Sequence, residues 1–321
     1  METNEDVVET YDAVVVGGGP AGLSGAIAMA RSRRRVLVVD AGRPRNAPAE
    51  GAHNLLGREG VKPTELLATG RDELASYGGH LTHDEAVGAR RSDDGFVVTL
   101  ASGREVASRG LLVTSGLTDE LPDVPGLADR WGHEVLHCPF CHGWEVRDQR
   151  IGVLSTGPMT THQALLFGQL SDRVTVLAHT APPSSEDRAS LDAMGVDVAD
   201  GEVVAVVGED GGPLTGVRLA DGTVVDLDAV VVASRLVAAS PVLADLGLEA
   251  VDHPSGAGVH YPSEMAGSTS MPLLRLAGNV TDLMAQVGAS AAAGVMAGAA
   301  LHGDLIQADL AARLAARAAT P

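Results

Sequence analysis

The stretch Gly17-Gly18-Gly19-Pro20-Ala21-Gly22 predicts a nucleotide-binding turn near the start of the chain. It matches the pattern G-x-G-x-x-G, in which Gly17 permits a tight turn, Gly19 lets a diphosphate approach the backbone, and Gly22 allows a helix to pack closely on a strand. A β-branched run at 11–17 leads into it, and a second such run ends at Asp40. An acidic side chain about twenty residues after the glycines can accept hydrogen bonds from ribose hydroxyls. This strand–turn–helix–strand unit therefore predicts a bound dinucleotide.

A second α/β unit near residue 150 keeps the strands but lacks the glycines. Strands are predicted at 151–154 and 174–177, and the turn after the first of them reads Ser155-Thr156-Gly157-Pro158-Met159-Thr160-Thr161-His162. Gly157 is the only glycine of that turn, and no arginine pair follows the second strand to hold a 2′-phosphate. We interpret this unit as a nucleotide-binding fold that has lost its nucleotide.

The chain has two cysteines, Cys138 and Cys141, in a C-x-x-C spacing. A structural disulfide closing so short a loop would stabilise the fold weakly. Zinc would need further ligands at matched spacing, so the flanking His137 and His142 leave only a cramped Cys/His metal site as an alternative. A redox-active pair is the favoured interpretation, without a metal, and a nearby helix N-terminus would stabilise the Cys138 thiolate.

Composition argues against several classes of function. The chain has 321 residues with 23 Lys+Arg against 42 Asp+Glu, a net charge of −19, which disfavours binding to a nucleic-acid backbone. Aromatic residues make up 2%, so base stacking is also not expected. The acidic N-terminus lacks the pattern of a signal peptide, and the Ala/Gly-rich segment 285–301 is too weakly hydrophobic to predict a membrane span. We expect a cytoplasmic protein with neither nucleic-acid nor membrane partners.

The remaining pattern suggests how the two units are connected. A β-rich excursion is predicted at 86–115, a Pro- and Gly-containing linker at 117–126, and a β-rich tail at 202–233. The segment 241–247 is interpreted as the return to the first domain, and a small-residue helix is predicted at about 284–301.

The order of these motifs resembles that of the low-molecular-weight thioredoxin reductases over nearly the whole chain. The resemblance implies an α/β fold of two Rossmann-like domains. Residues 1–120 and 241–321 would form a discontinuous FAD-binding domain, and residues 121–240 a degenerate NADPH-like domain that carries the C-x-x-C motif. It also implies a homodimer.

The resemblance assigns the first glycine turn to FAD and implies further contacts, position by position. Those expected to hold the ADP half are Gly17, Gly19, Pro20, Ala21 and Asp40. Those expected near the flavin or adenine, or to complete the site, are Arg45, Asn46, His53, Asn54, Val87, Thr114, Asn279, Gln286 and Val287. Asn279 stands where the family usually has Asp.

The string His137-Cys138-Pro139-Phe140-Cys141-His142-Gly143-Trp144-Glu145 indicates a subfamily. Reductases place Asp directly after the second cysteine as proton donor and acceptor, whereas here that position is His142. The string resembles the dithiol oxidases that close disulfides in antibiotics and mycotoxins such as holomycin and gliotoxin, which likewise lack the pyridine-nucleotide fingerprint. The resemblance implies that Cys138 faces a small dithiol, that Cys141 faces FAD, and that O2 is reduced to H2O2. His142, and more weakly His137, would act as the base.

Two other functions remain open from the sequence. The first is an NADPH-dependent reductase of thioredoxin-like partners, which the lost second fingerprint disfavours. The second is a non-catalytic flavin-binding sensor, which the retention of both cysteines disfavours. Trp144 is expected either to line the substrate pocket or to pack under the C-x-x-C helix, and Glu145 either to orient a histidine ring or to lie in solvent.

Overall fold

The chain divides into two units in the computed structural model, which describes residues 9–209 and 211–319. Unit 1 comprises the described residues up to Ala47, then Lys62–Thr118, and the chain from Leu236 onward; unit 2 comprises Pro48–Val61 and Asp119–Arg235. The chain thus passes from unit 1 to unit 2 after residue 118 and returns after residue 235, whereas the sequence predicted these boundaries after 120 and 240. Residues 48–61, however, were predicted to belong to the first domain, and their contacts place them in unit 2.

The described residues form the following strands and α-helices. The strands are β1 (Glu9–Val16), β2 (Val36–Asp40), β3 (His80–His83), β4 (Ala86–Ser92), β5 (Gly95–Leu100), β6 (Glu105–Val113), β7 (Thr118–Glu120), β8 (Val135–Leu136), β9 (Ile151–Leu154), β10 (Val174–Leu177), β11 (Asp197–Ala199), β12 (Val203–Gly208), β13 (Leu214–Leu219), β14 (Val224–Asp226), β15 (Ala229–Val232), β16 (Arg235–Val237), β17 (Val251–Asp252), β18 (Gly258–His260) and β19 (Leu274–Leu276). The α-helices are α1 (Pro20–Arg31), α2 (Pro63–Ser76), α3 (Pro139–His142), α4 (Thr160–Phe167), α5 (Ser185–Ala193), α6 (Pro241–Asp245) and α7 (Val287–Ala318).

Unit 1 is built on a parallel sheet with the order β3-β2-β1-β6-β19. The antiparallel strands β4 and β5 extend β6 as a meander. Val15 pairs with Val38 on one side and with Leu112 on the other, and all three are fully buried. Continuous apolar strands are expected where both faces of a parallel sheet are covered. This arrangement places the end of β1, and hence the glycine turn, at the carboxyl edge of the sheet.

Helices α1 and α7 pack through small residues. A Cβ atom added to Gly298 would lie 2.5 Å from the Gly25 carbonyl oxygen, and one added to Gly294 would lie 2.0 Å from the Ala21 carbonyl oxygen. Helix backbones approach this closely only where side chains are absent. By length and composition α7 also fits a membrane-spanning helix; a third of its most apolar window is buried, and its glycine face packs against α1.

Unit 2 repeats the plan of unit 1 with shorter strands. Its parallel sheet has the order β11-β10-β9-β15-β8, and β12, β13 and β14 form an antiparallel sheet. At the start of β9 and β15, the Asp228 carboxylate accepts hydrogen bonds from the Arg150 backbone N–H at 2.9 Å and from its guanidinium Nε at 3.0 Å. The prediction of two Rossmann-like domains is therefore confirmed.

Three expectations about connections were wrong in detail. The predicted linker 117–126 contains the strand β7, which pairs with β16. The predicted crossing at 241–247 is instead the helix α6 in unit 1, because the Ser240 hydroxyl caps it and a proline at the first helical position favours helix initiation. Helix α7 does not end near residue 301 but continues to Ala318.

Candidate functional site

The glycine turn between β1 and α1 has the close contacts that its sequence predicts. Gly17 has a φ of 99°, and a Cβ there would lie 2.4 Å from the Thr114 carbonyl oxygen. A Cβ on Gly22 would lie 1.8 Å from the Gly17 carbonyl oxygen. The Thr114 hydroxyl donates to the carbonyl oxygens of Val16 and Gly17 at 2.8 and 3.0 Å, which joins the ends of β6 and β1. These contacts fix the turn and leave room for no side chain at Gly17 or Gly22.

The start of α1 fits a diphosphate. Gly19 precedes the helix without a side-chain cap, and no atom lies within 4 Å of a Cβ built there. Pro20 and Ala21 open the helix, so backbone N–H groups of its first turn face this space. The Asp40 carboxylate accepts from the Gly18 N–H at 3.1 Å, which holds the acid beside the turn. The residues present therefore fit the dinucleotide that the sequence predicts.

Local hydrogen bonds explain why position 279 is Asn here and not the Asp that the family usually has. Its side-chain N–H2 donates to the carbonyl oxygens of Asp282 and Ala285, each at 2.9 Å. A carboxylate could not donate there. Gln286 follows as the N-cap of α7, whose first residue is Val287. The amide thus shapes the loop before α7 and keeps its oxygen as an acceptor.

The remaining predicted cofactor contacts separate into two groups. Arg45 and Asn46 lie in the turn after β2, and Val87 lies in β4 with 43% of its surface exposed, all in unit 1. His53 and Asn54 lie in unit 2 and contact the segment that carries the cysteines. These two residues therefore lie beside the C-x-x-C motif, and their contact with the flavin stays a prediction.

The two cysteines lie on a single turn of helix. Cys138 is the N-cap of α3 and Cys141 lies within it; both are half-buried and the structure holds them as thiols. We call α3 together with Cys138 the Cys helix. The His142 N–H donates to the Cys138 carbonyl oxygen at 3.1 Å. The next residue must be glycine, because a Cβ on Gly143 would lie 2.3 Å from the Pro139 carbonyl oxygen. Because α3 has only one turn, its helix dipole is small. It therefore stabilises the Cys138 thiolate less than the sequence analysis predicts.

The two flanking histidines have different surroundings. The His137 ring stacks on Trp131, with ring centroids 5.6 Å apart, and its carbonyl oxygen accepts from the Gln163 side chain at 3.2 Å. Burial lowers the pKa of the His142 imidazole below its usual value, and the nearby Glu145 carboxylate offsets part of this effect. His142 is therefore neutral at physiological pH and can accept a proton.

The 51–61 loop contacts the Cys helix and the residues after it. The Asn54 side-chain N–H2 donates to the Phe140 carbonyl oxygen at 2.7 Å, between the two cysteines. His53 Nε2 lies 3.5 Å from Glu145 Oε1, and a third of the Glu145 side chain is exposed. Glu145 was expected to orient the ring of His142 or His137 or to lie in solvent, and the structure instead places its carboxylate beside His53. Sequence reasoning found no signal for these contacts, because their partners are far apart along the chain.

Two aromatic side chains form an exposed surface beside the thiols. Phe140 is 61% exposed and Trp144 is 65% exposed. The Arg147 guanidinium carbon lies 4.2 Å from the centroid of the Trp144 ring, an arrangement that holds the ring by a cation–π contact. Trp144 therefore does not pack under the Cys helix, and its exposed face is available to an apolar substrate.

Hydrogen bonds from side-chain hydroxyls hold the turn after β9 in shape. The buried Ser155 hydroxyl hydrogen-bonds to Thr160 Oγ1 at 3.1 Å and to the Ala181 carbonyl oxygen. The buried Thr160 hydroxyl donates to the Gly157 carbonyl oxygen at 2.8 Å. Polar groups that would meet a diphosphate in a nucleotide-binding turn here bond to one another. Within residues 9–209 and 211–319, no group of three or more His, Cys, Asp or Glu side chains is arranged to hold a metal ion.

Comparisons with known proteins agree with this architecture. Residues 11–294 match the family described as pyridine nucleotide-disulphide oxidoreductase. The chain is 36% identical to "Thioredoxin reductase tcpT" of Claviceps purpurea over 52% of this chain and 55% of that protein, so the match spans about half of that relative. It is 29% identical to "Thioredoxin reductase sirT" of Leptosphaeria maculans over 94% of this chain and 97% of that protein. The crystal structure of HlmI is similar with a TM-score of 0.90 and 40% identity, over 99% of this chain and 98% of that one.

These matches confirm the resemblance drawn from the sequence. The long coverage of HlmI and sirT includes both units, the glycine turn and the C-x-x-C motif. Thioredoxin reductase-like proteins of this family are flavin-dependent redox enzymes, which agrees with a turn that fits a dinucleotide. The chain therefore belongs to the pyridine nucleotide-disulphide oxidoreductase family and is a thioredoxin reductase-like redox enzyme.

Proposed function

We propose that this protein is an FAD-dependent oxidase that converts a small-molecule dithiol of secondary metabolism into its intramolecular disulfide. The observation that carries the proposal is a contrast within unit 2. The unit keeps the Cys138–Cys141 pair beside His142, whose pKa burial lowers, while the turn where a pyridine nucleotide would bind has Gly157 as its only glycine and hydrogen-bonds its Ser155 and Thr160 hydroxyls to each other. A retained dithiol beside a degenerate nucleotide turn favours a thiol substrate over NADPH as the source of the electrons.

The reaction begins at Cys138 in the oxidised, disulfide form of the pair. His142 takes the proton of the first substrate thiol, and the resulting thiolate attacks the Cys138 sulfur. The Cys138–Cys141 bond breaks, a mixed disulfide forms, and Cys141 leaves as a thiolate. The second substrate thiol releases its proton to solvent, its thiolate attacks the substrate sulfur of the mixed disulfide, and Cys138 leaves as a thiolate. The product is a disulfide, and the enzyme cysteines hold the electron pair.

FAD fits the role of the resident cofactor in this scheme. The groups that would hold it are those of the glycine turn, with Asp40, Thr114 and Asn279. When bound, FAD supplies the redox step that takes the electron pair from the reduced cysteines and delivers it to O2. The overall balance is one dithiol and one O2 consumed for one disulfide and one H2O2.

The principal experiment separates oxidase from reductase. Purified protein is mixed without oxygen with dithiothreitol, with reduced holomycin, or with NADPH, and the flavin absorbance is followed. We expect the dithiols to bleach the flavin, and air to restore it with one H2O2 per disulfide. NADPH is expected to have no effect on that timescale. Rapid bleaching by NADPH would instead support the alternative, an NADPH-dependent reductase of thioredoxin-like partners, which agrees with the names of the relatives.

Two groups of variants test the assigned residues. Cys138→Ser and Cys141→Ser should each abolish turnover while the flavin remains bound, and turnover by Cys141→Ser would overturn the assignment. His142→Ala should slow reduction by dithiol at neutral pH more than at high pH, where the substrate is already ionised. In the unaltered protein the rate should fall as the pH drops through the lowered pKa of His142. Equal slowing at all pH values would show that His142 is not the base.

The resemblance also underlies two simpler proposals. We expect a homodimer in solution, to be measured by light scattering after size-exclusion chromatography. We expect a cytoplasmic location, to be measured by fractionation of the producing cells.

A further inference from the structure

The 51–61 loop is held in shape by one carboxylate. Ala52 and Val61 pair as an antiparallel bridge at its base. Glu59 Oε1 lies 2.7 Å from His53 Nδ1, and Glu59 Oε2 accepts from the Asn54 N–H at 3.0 Å. Glu59 therefore bonds to the His53 ring and to the Asn54 backbone, the two residues whose side chains contact Glu145 and Phe140.

The loop makes two polar contacts that lie on either side of Cys141. Asn54, whose φ of 59° is in the left-handed region, directs its amide to the Phe140 carbonyl oxygen. His53 directs Nε2 towards Glu145, so its ring lies between the carboxylates of Glu59 and Glu145. The protonated ring has a donor on each nitrogen, and it can therefore hold both carboxylates at once.

We propose that His53 is a positioning residue of the dithiol site, which holds the Glu145 carboxylate where its charge acts on His142. This inference deepens the proposed function, because His142 is the base of that function. It assigns to His53 a role beyond the cofactor contact that the resemblance implies.

The charges around His142 decide what the proposal predicts. Burial has the largest effect and lowers the pKa of His142; Glu145 and, more weakly, Glu50 raise it, whereas His53 and His133 lower it. If His53 holds Glu145, then His53→Ala releases the carboxylate, and the larger effect of Glu145 is lost together with the smaller one of His53. The pKa of His142 should then fall. If His53 acted only through its own charge, the same variant would raise the pKa of His142.

The test is a titration of His142 by NMR in the full-length, flavin-loaded protein with isotope-labelled histidine. His142→Asn identifies the resonance. We expect His53→Ala and Glu145→Gln each to move the midpoint of His142 to lower pH, without additivity in the double variant. His53→Gln retains a hydrogen-bond donor, and we expect it to prevent the downward shift. Arg58→Gln, a charge change at an exposed position of the same loop, is the matched control and should leave the midpoint unchanged.

The outcomes separate this inference from the proposed function. An unchanged or raised midpoint in His53→Ala, or additive shifts in the double variant, would overturn the positioning role even if the oxidase assay succeeds. Because the titration requires no turnover, the shifts would still support it if the oxidase assay failed. Should His53→Ala not fold, Glu59→Ala removes the carboxylate that holds the same ring and is expected to produce the same downward shift; no shift in that variant would count against the proposal.

Discussion

Replacing Gly298 with Ala should destabilise unit 1, because at that position α7 packs directly on the backbone of Gly25 in α1. The added Cβ would lie 2.5 Å from the Gly25 carbonyl oxygen, whereas ordinary contacts begin at 3.4 Å, so the two helices must separate by about 0.9 Å. Overpacking of this kind costs about 1–3 kcal/mol, and a better helix propensity returns up to about 1 kcal/mol. We expect a net loss of about 2 kcal/mol.

Gly303→Ala in the same helix provides the matched control. No atom lies within 4 Å of a Cβ at Gly303, so only the helix propensity and the reduced entropy of the unfolded chain change there. This variant should gain about 0.5–1 kcal/mol. Thermal and urea unfolding followed by circular dichroism should show Tm lowered by about 4–8 °C for Gly298→Ala and raised by about 2–4 °C for Gly303→Ala. The reasoning fails if Gly298→Ala is as stable as Gly303→Ala.

Three further substitutions test the rest of the fold and the cofactor site. Asp228→Asn should lower the free energy of unfolding by about 1 kcal/mol at neutral pH, since the pair is partly in water. Arg150 holds the pKa of the Asp228 carboxyl down to about 2, so in urea titrations this difference should persist above the ordinary carboxyl pKa and disappear as the pH falls towards 2. Gly22→Ala places a Cβ 1.8 Å from the Gly17 carbonyl oxygen, and the purified protein should lack flavin absorbance; a normal flavin content would contradict the role of that turn. Asn279→Asp replaces a donor facing two carbonyl oxygens with an anion and should cost about 1–3 kcal/mol, whereas unchanged thermal stability would show that these bonds contribute little.

The features predicted correctly from the sequence are those whose chemistry is local in the chain. The spacing of Gly17 and Gly22, with Asp40 at the end of β2, specifies a turn whose partners all lie nearby in sequence. The C-x-x-C pair likewise needs only its own turn of helix. Such patterns can be recognised because each residue type meets a steric or chemical requirement set by its neighbours in the sequence.

The features that were missed depend on contacts between distant segments. Helix α7 was expected to end near 301 as a helix of small residues, but beyond that point Asp304 pairs with Arg275 at 2.8 Å, and Asp309 pairs with Arg34 and Arg109 at 3.1 and 2.6 Å. These partners allow the helix to continue. The contact of Asn54 with the Cys helix could not be predicted either, because its partner Phe140 is 86 residues away in the sequence.

The division of the chain has a consequence for exchanging parts between related enzymes. A recombinant that transfers only residues 119–235 would carry the cysteines, His142 and Glu145 but would leave Pro48–Val61 behind. Its grafted dithiol would then meet whatever loop the recipient supplies, without the donor's own His53 and Asn54. Recombination therefore preserves this chemistry only if it transfers both segments, 48–61 and 119–235, which favours inheritance of the whole gene.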